Sequence, residues 1–133
     1  MIRCKRVYAA VAGDDGYRVL VDRLWPRGCK KESLRLDAWL RELAPSAELR
    51  KAFHHAAERF EEFRLLYRGE LAAHPEHWWA LLDKARSGTL TLLFAAREEQ
   101  LNNARVLEEF LEEELDRQQP ASSPVCYAGE RKS

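Results

Sequence analysis

Four residues that could bind or react with a ligand follow the second predicted strand of the chain: Asp22, Arg23, Trp25 and Arg27. Guanidinium groups form forked hydrogen bonds with a phosphate or carboxylate, and the indole of Trp25 can stack on a ligand or form a pocket wall. Asp22 is a candidate general base, or it orients Arg23. Together the four residues favour a site for an anionic small molecule.

Three more polar residues, Arg97, Asn102 and Asn103, follow an apolar run at 90–95. In open α/β sheets, ligands bind beyond the carboxyl ends of parallel strands. If this run is a strand parallel to the second one, the polar residues that follow each of the two strands reach the same edge of the sheet. Asn102 and Asn103 would then lie near a helix start, where backbone N–H groups favour an anion.

A structural interpretation of the same residues stays open. Asp22 could form an ion pair with Arg23 or Arg50, while Trp25 and Pro26 pack in the core. The spacing of the residues does not decide between this alternative and a ligand site.

The four histidines give a weaker signal for a metal. They stand as His54-His55 and His74-Pro75-Glu76-His77. Adjacent histidines point in different directions on a helix, and Pro75 disfavours a helical conformation at His74. Because no carboxylate stands at an established ligand spacing, the sequence predicts no metal site.

No nucleophile has the setting that catalysis needs. Ser46 is better placed to cap a helix than to attack a substrate, because no Gly-x-Ser-x-Gly turn surrounds it. Cys29 precedes Lys30 and Lys31, whose positive charges lower the pKa of a thiol, but no histidine partner is evident.

Composition restricts the classes of protein to which the chain can belong. Its 133 residues suit one domain, and 22 Lys and Arg balance 22 Asp and Glu. Nucleic-acid and membrane-surface proteins normally carry a basic excess, so neither partner is expected. Three separated cysteines (Cys4, Cys29 and Cys126) indicate reduced thiols rather than a disulfide framework. Since the sequence has no signal peptide and no apolar run of about 18 residues, we expect a cytoplasmic protein.

Apolar periodicity predicts the elements that position these side chains. Strands are expected at 2–8 on a sheet edge, at 17–22, and at 90–95 with both faces covered. Helices are expected at about 36–43, from Ser46, from Ala56 to Leu71, from Pro75 to Ala85 and from about Glu99 to Leu115, with a break near His54-His55.

These elements predict an α/β fold, with a small mixed or mostly parallel sheet of about three to four strands flanked by amphipathic helices. We expect one domain at 2–117 and a flexible polar tail at 118–133. The sequence gives no signal for a cofactor or an oligomeric state.

Two sequence blocks resemble a known family. They are Cys4-Lys5-Arg6-Val7-Tyr8 and Asp15-Gly16-Tyr17-Arg18-Val19-Leu20-Val21-Asp22-Arg23-Leu24-Trp25-Pro26-Arg27-Gly28. The similarity continues through Trp39, Ala44 to Phe53, Phe63, Tyr67, Glu70-Leu71 and Leu90 to Leu93. The chain therefore resembles the YeaO-like family over residues 2–113. The resemblance implies no particular activity, because that family is itself uncharacterised.

One segment departs from longer proteins of the same broad group, which carry a Cys-His-Arg string after the apolar strand. Here the region reads Glu99-Gln100-Leu101-Asn102-Asn103-Ala104-Arg105, so chemistry that depends on that thiol and imidazole cannot be carried over. The leading hypothesis is an anion or small-molecule site at the strand ends, with an enzymatic role open. The alternative is a non-catalytic regulatory or protein-interaction module that uses the basic surface at 27–35.

Overall fold

The computed structural model describes residues 1–53 and 57–118, which form a four-stranded sheet and several helices. The strands are β1 (Ile2–Arg6), β2 (Tyr17–Leu20), β3 (Ala38–Trp39) and β4 (Leu90–Phe94). The α-helices are α1 (Lys31–Leu34), α2 (Ala47–Phe53), α3 (Phe60–Ala73), α4 (Trp79–Ser87) and α5 (Asn103–Gln118). Short 3-10 turns lie at Arg41–Leu43, Ala57–Arg59 and Pro75–His77. The predicted α/β class is confirmed.

The sheet is parallel throughout, with the strand order β1-β4-β2-β3. The predicted edge position of β1 and the parallel pairing of β2 with β4 are therefore confirmed. Every residue of β4 is buried, as expected for an almost wholly apolar run in the interior of a sheet. Because all strands run the same way, the segments that follow β1, β2 and β4 meet at one edge.

Helix α3 is held to its neighbours by a buried hydrogen bond and by ion pairs. The buried hydroxyl of Tyr67 donates a hydrogen bond to the carbonyl of Leu43. Arg64 and Arg68 each contact Glu109 of α5 at 2.6 Å. These contacts fix the helix whose first turn lies next to the carboxyl edge of the sheet.

The predicted helix at 36–43 is wrong. The segment forms β3, which pairs with β2, and only Arg41–Leu43 makes a 3-10 turn. The backbone N–H of Asp37 donates to Arg18, and the carboxylate of Asp37 accepts from the backbone N–H of Arg18 at 2.8 Å. Pairing with the free edge of β2 satisfies backbone groups that a helix would leave without partners.

The ends of several other elements differ from the predictions. The strands expected at 2–8 and 17–22 end at Arg6 and Leu20. The helices expected from Ala56 and from Pro75 begin as 3-10 turns before α3 and α4. The last helix starts at Asn103 rather than Glu99, because the Asn102 side chain caps it by accepting a 3.0 Å hydrogen bond from the N–H of Arg105.

The predicted cap at Ser46 is confirmed, since its hydroxyl oxygen accepts a hydrogen bond from the N–H of Leu49 at 3.2 Å. The break expected near His54-His55 and all but the first residue of the expected tail lie outside the described residues. In the described part of the chain, no helix combines the length and the apolar character that crossing a membrane requires.

Candidate functional site

A cleft with a cavity volume of about 480 Å³ lies at the carboxyl edge of the sheet. Its walls come from the segment that follows β2, the segment that follows β4, the start of α5, and residues of α2 and α3. The charged lining residues are Asp22, Arg23, Arg27 and Arg50. The larger apolar ones are Leu24, Trp25, Phe53, Phe60, Phe63 and Leu101. The cleft therefore combines an arginine-rich part with an aromatic part.

Asp22 connects the segments that follow β2 and β4. One carboxylate oxygen accepts a 2.8 Å hydrogen bond from the backbone N–H of Ala95, and the other accepts one of 3.3 Å from the Asn103 side chain. Burial raises the pKa of Asp22 above its ordinary value, against the opposing effects of these two hydrogen bonds and of the Arg50 charge. The carboxylate is thus a positioning group whose protonation would change the charge of the cleft.

No ion pair joins Asp22 to Arg23 or Arg50 among the described contacts, so that part of the structural interpretation does not hold. Arg23 donates instead from Nη2 to the carbonyl of Pro45 at 3.3 Å. Its Nε is buried and has no hydrogen-bond partner among the described residues. A buried donor without an acceptor is costly, and it is unusual in a native protein.

The other predicted arginines occupy different places. Arg27 lines the cleft and is exposed, whereas Arg97 is exposed but is not part of the described lining. The sequence argument did not place Arg50 in the ligand site, although this exposed residue of α2 lines the cleft. Arg50 and Phe53 are three residues apart on one helix, and that spacing was the signal that could have identified both.

Trp25 both lines the cleft and packs against the protein. Its ring lines the cleft and packs edge-to-face on Trp39, with 5.3 Å between ring centroids. Its indole N–H donates to the carbonyl of Cys29 at 2.8 Å, and Pro26 is buried. The ring is therefore a fixed wall rather than a mobile stacking surface.

The two asparagines are brought to the cleft, as predicted, but their side chains have internal partners. Asn102 caps α5 and donates from Nδ2 to the carbonyl of Glu98 at 2.7 Å. Asn103 contacts both Asp22 and the carbonyl of Val21. The two asparagines fix the start of α5, and the positive end of that helix dipole therefore lies at the cleft.

Contacts from the end of β1 hold the same loops in place. The Tyr8 hydroxyl donates to the carbonyl of Arg27 at 3.0 Å, and the guanidinium of Arg6 donates to the carbonyls of Ala95 and Ala96 at 3.2 and 3.0 Å. The loops that line the cleft are therefore connected across the sheet edge before any ligand binds.

The aromatic part of the cleft was missed by sequence reasoning. Phe63 lies 5.6 Å from Phe60 and 6.2 Å from Phe53, measured between ring centroids. These residues come from α2 and α3, whose docking against the sheet edge has no local sequence signal. The rings provide an apolar surface next to the arginines.

The described lining contains the Tyr8 hydroxyl, which donates a hydrogen bond to the carbonyl of Arg27, and the Asp22 carboxylate, but no serine, threonine, cysteine or histidine. Asp22 could accept a proton, but both of its oxygens already accept hydrogen bonds from the protein.

A family model described as the Inactive DUF488-N3 subclade matches residues 1–128. The uncharacterized protein YeaO of Escherichia coli K12 is 50% identical over 110 residues, which are 83% of this chain and 96% of that protein. An uncharacterized protein of Mycobacterium tuberculosis H37Rv is 50% identical over 70 residues, which are 53% of this chain and 59% of that protein. No solved structure gives a significant match. The resemblance to YeaO-like proteins is thereby confirmed.

Proposed function

The chain belongs to the inactive DUF488-N3 subclade, and on that premise we propose that it binds a small molecule without converting it. The ligand class is an amphipathic anion, with a carboxylate, phosphate or sulfonate head and an apolar body. The binding site is the cleft at the carboxyl edge of the sheet.

The buried Nε of Arg23 is the single observation that carries the proposal. It lacks an acceptor among the described residues, while its side chain lines the cleft. Because the atom is out of reach of solvent, the Arg23 side chain has to turn toward the cleft for an anionic oxygen to supply that acceptor through a charge-assisted hydrogen bond. Arg50 and Arg27 add positive charge, and Asp22 is the one carboxylate among the described lining residues.

The apolar part of the cleft supports a ligand with a hydrophobic body rather than a bare inorganic anion. Phe53, Phe60 and Phe63 form a continuous aromatic wall, and Leu24 and Leu101 lie exposed at the rim. Burial of an apolar body contributes about 25 cal/mol per Å² of surface removed from water. The volume of about 480 Å³ falls within the range of small-molecule sites.

A binding role without catalysis agrees with two features. The subclade whose model matches residues 1–128 is described as inactive. The segment before α5, where longer proteins of the group carry a thiol and an imidazole, has neither in this chain. The chain therefore retains a cleft that can hold an anion and lacks the groups expected to react with it.

The first test is a thermal-shift screen of the full chain against aryl and acyl carboxylates, sugar phosphates and nucleotides. Each anion is paired with its uncharged alcohol or ester. A ligand at 100 times its dissociation constant adds about 2.7 kcal/mol to the free energy of unfolding, which corresponds to a shift of several degrees. Stabilisation by the anions but not by their uncharged partners would support the proposal. An absence of stabilisation by every anion, or equal stabilisation by both forms, would contradict it.

A second candidate function is recognition of a protein segment that carries an acidic group. Leu24 is 69% exposed and Leu101 is 45% exposed at the rim of the cleft, where they could contact a partner chain. The neighbouring basic surface includes Lys30 and Lys31. This candidate predicts that a K30E/K31E variant loses a stable partner in a pull-down, whereas small-anion binding in the cleft remains.

A further inference from the structure

Outside the cleft, three potential metal-ligating side chains converge after the end of α3. The Nδ1 atom of His74 lies 3.1 Å from the carboxylate of Glu76, and the Nε2 atom of His77 lies 3.7 Å from the same oxygen. All three donor atoms lie within 4.8 Å of one another. We propose that His74, Glu76 and His77 form a surface site for a divalent transition metal of the zinc type.

The prediction of no metal site rested on the divergence of adjacent histidines, on Pro75 next to His74 and on the lack of a carboxylate at an established ligand spacing. In the structure Pro75 begins a 3-10 turn, and His74 precedes it with φ −135° and ψ 66°. That geometry places residues 74, 76 and 77 on one side of the turn. The sequence argument found no carboxylate at an established ligand spacing. In the structure Glu76 supplies one, because its carboxylate lies near both imidazoles.

The donor distances suit zinc. Zinc binds imidazole nitrogen and carboxylate oxygen at about 2.0–2.2 Å, so neighbouring donors in a tetrahedral site lie about 3.3 Å apart. The observed 3.1 and 3.7 Å separations bracket that value. Two imidazoles and one carboxylate are also a typical donor set for zinc, and they leave a fourth position for water or an anion.

The backbone under the site is well ordered by hydrogen bonds. The N–H of His74 donates to Leu71, and the N–H of His77 donates to His74. The buried indole of Trp78 donates to the carbonyl of Leu71 at 2.7 Å and anchors the turn. The ligand-bearing side chains are partly exposed, so a metal can reach them by small rotations of side chains on a fixed turn.

The site does not depend on the proposed anion cleft. His74 and His77 line a separate groove of about 280 Å³, together with Ser46, Tyr67 and Glu70. Glu70 is already held by Ser46, which donates to it from its backbone N–H at 2.9 Å and from its hydroxyl. Arg23 is a shared lining residue of the groove and the cleft.

Zinc titration of the metal-free full chain by calorimetry tests the inference. We expect one ion per chain, and H74A and H77A should each weaken binding at least about tenfold. The control is D83A, which removes an exposed carboxylate of α4 that is not part of the cluster and should bind zinc as the wild type does. An absence of saturable binding, or a loss of less than tenfold in both cluster variants, or an equal loss in D83A, would overturn the proposal.

A measurement on the unmodified protein covers the case in which a variant does not fold. Imidazole resonances of the wild-type chain are followed by NMR during zinc addition. The two histidines of the cluster should shift together and saturate at one equivalent. Shifts confined to the other histidines, or no shift at all, would also overturn the proposal.

Discussion

The carboxylate of Asp22, which follows β2, accepts a 2.8 Å hydrogen bond from the backbone N–H of Ala95, which follows β4. This contact closes the carboxyl edge of the sheet between two neighbouring parallel strands. With the 3.3 Å contact from Asn103, it also fixes the start of α5. The cleft is thus built around a side chain that backbone and side-chain groups of the protein hold in place.

Loss of this connection should destabilise the fold. The substitution D22A leaves the N–H of Ala95 and the amide of Asn103 without their acceptor, so we expect a loss of about 1–3 kcal/mol. Urea denaturation monitored by circular dichroism measures the change. The control D83A removes an exposed carboxylate of α4 and should cost less than about 0.5 kcal/mol. Equal effects of the two substitutions would show that Asp22 does not connect the strand ends.

The protonation of Asp22 should control anion affinity. Since burial raises its pKa, the carboxylate becomes neutral at a higher pH than an exposed aspartate. Removal of this negative charge favours an anionic ligand, so affinity should increase as pH falls through the raised pKa. An aryl sulfonate is the suitable probe, because its own charge does not change in that range. Fluorescence titration across pH should show this rise in the wild type and a flat profile in D22N.

A buried charge cluster at the start of β2 makes a separate prediction. Asp15 is 1% exposed and accepts hydrogen bonds from Lys5 at 3.0 Å and from the buried Arg18. Truncation to alanine leaves the Arg18 charge without its carboxylate, which should cost about 3–5 kcal/mol. D14A is the matched control, because Asp14 is exposed and its removal should cost less than about 0.5 kcal/mol. Similar urea midpoints for the two variants would contradict this account.

The same cluster should give the protein an acid-sensitive component of stability. Burial opposes ionisation of Asp15, but hydrogen bonds from the Ala12 N–H, Lys5 and Arg18 outweigh it and hold its pKa below the ordinary 3.8. The folded form therefore binds fewer protons than the unfolded form in this range. The stabilisation by ionised Asp15 is fully present above pH 3.8, the ordinary pKa, and is lost as pH falls through the lower pKa of the folded form. In D15N, the free energy of unfolding should change less over that acid interval, and an unchanged slope would argue against the assignment.

The turn before β2 contains a glycine whose replacement should destabilise the fold. Gly16 has φ +67°, and a Cβ there would lie 2.1 Å from the carbonyl oxygen of Thr89. We expect G16A to cost at least about 2 kcal/mol, from backbone strain and from displacement of Thr89, which precedes β4. G28A shares the positive φ without the close contact and should cost about 1–2 kcal/mol. G13A has neither feature and should be nearly neutral, so a ranking other than this one by thermal denaturation would refute the interpretation.

The sequence predicted the sheet well where a pattern has one physical meaning. The short apolar run Leu90–Phe94 has no polar face to turn toward solvent, so it predicts a strand that is buried on both faces. It forms the interior strand β4. A second pattern is compatible with either a helix or a strand followed by a turn, because contacts with other elements can produce it without a helix. It is the spacing of Leu36, Trp39, Leu40 and Leu43. Pairing of β3 with β2 decided between them, and that pairing depends on a free strand edge elsewhere in the chain.

The site was predicted in part for the same reason. Asp22, Arg23, Trp25 and Arg27 follow directly from the rule that ligand sites form at the ends of parallel strands. Arg50 comes from a helix that docks against that edge, and docking is determined by tertiary packing rather than local sequence. Arg97 lies outside the described lining of the cleft, although Ala96 before it and Asn102 after it belong to that lining.

The most direct test of anion binding in the cleft is an NMR titration of the full chain with an aryl carboxylate, followed through backbone amides. Amides of Asp22, Ala95 and Asn103 should shift together in the wild type and in R97A, which removes an exposed arginine outside the described lining. In R50A the affinity should fall about tenfold, which corresponds to a lost charge-assisted interaction of about 1.4 kcal/mol. Shifts that are absent from these amides, or equal affinities in R50A and R97A, would contradict the proposed site.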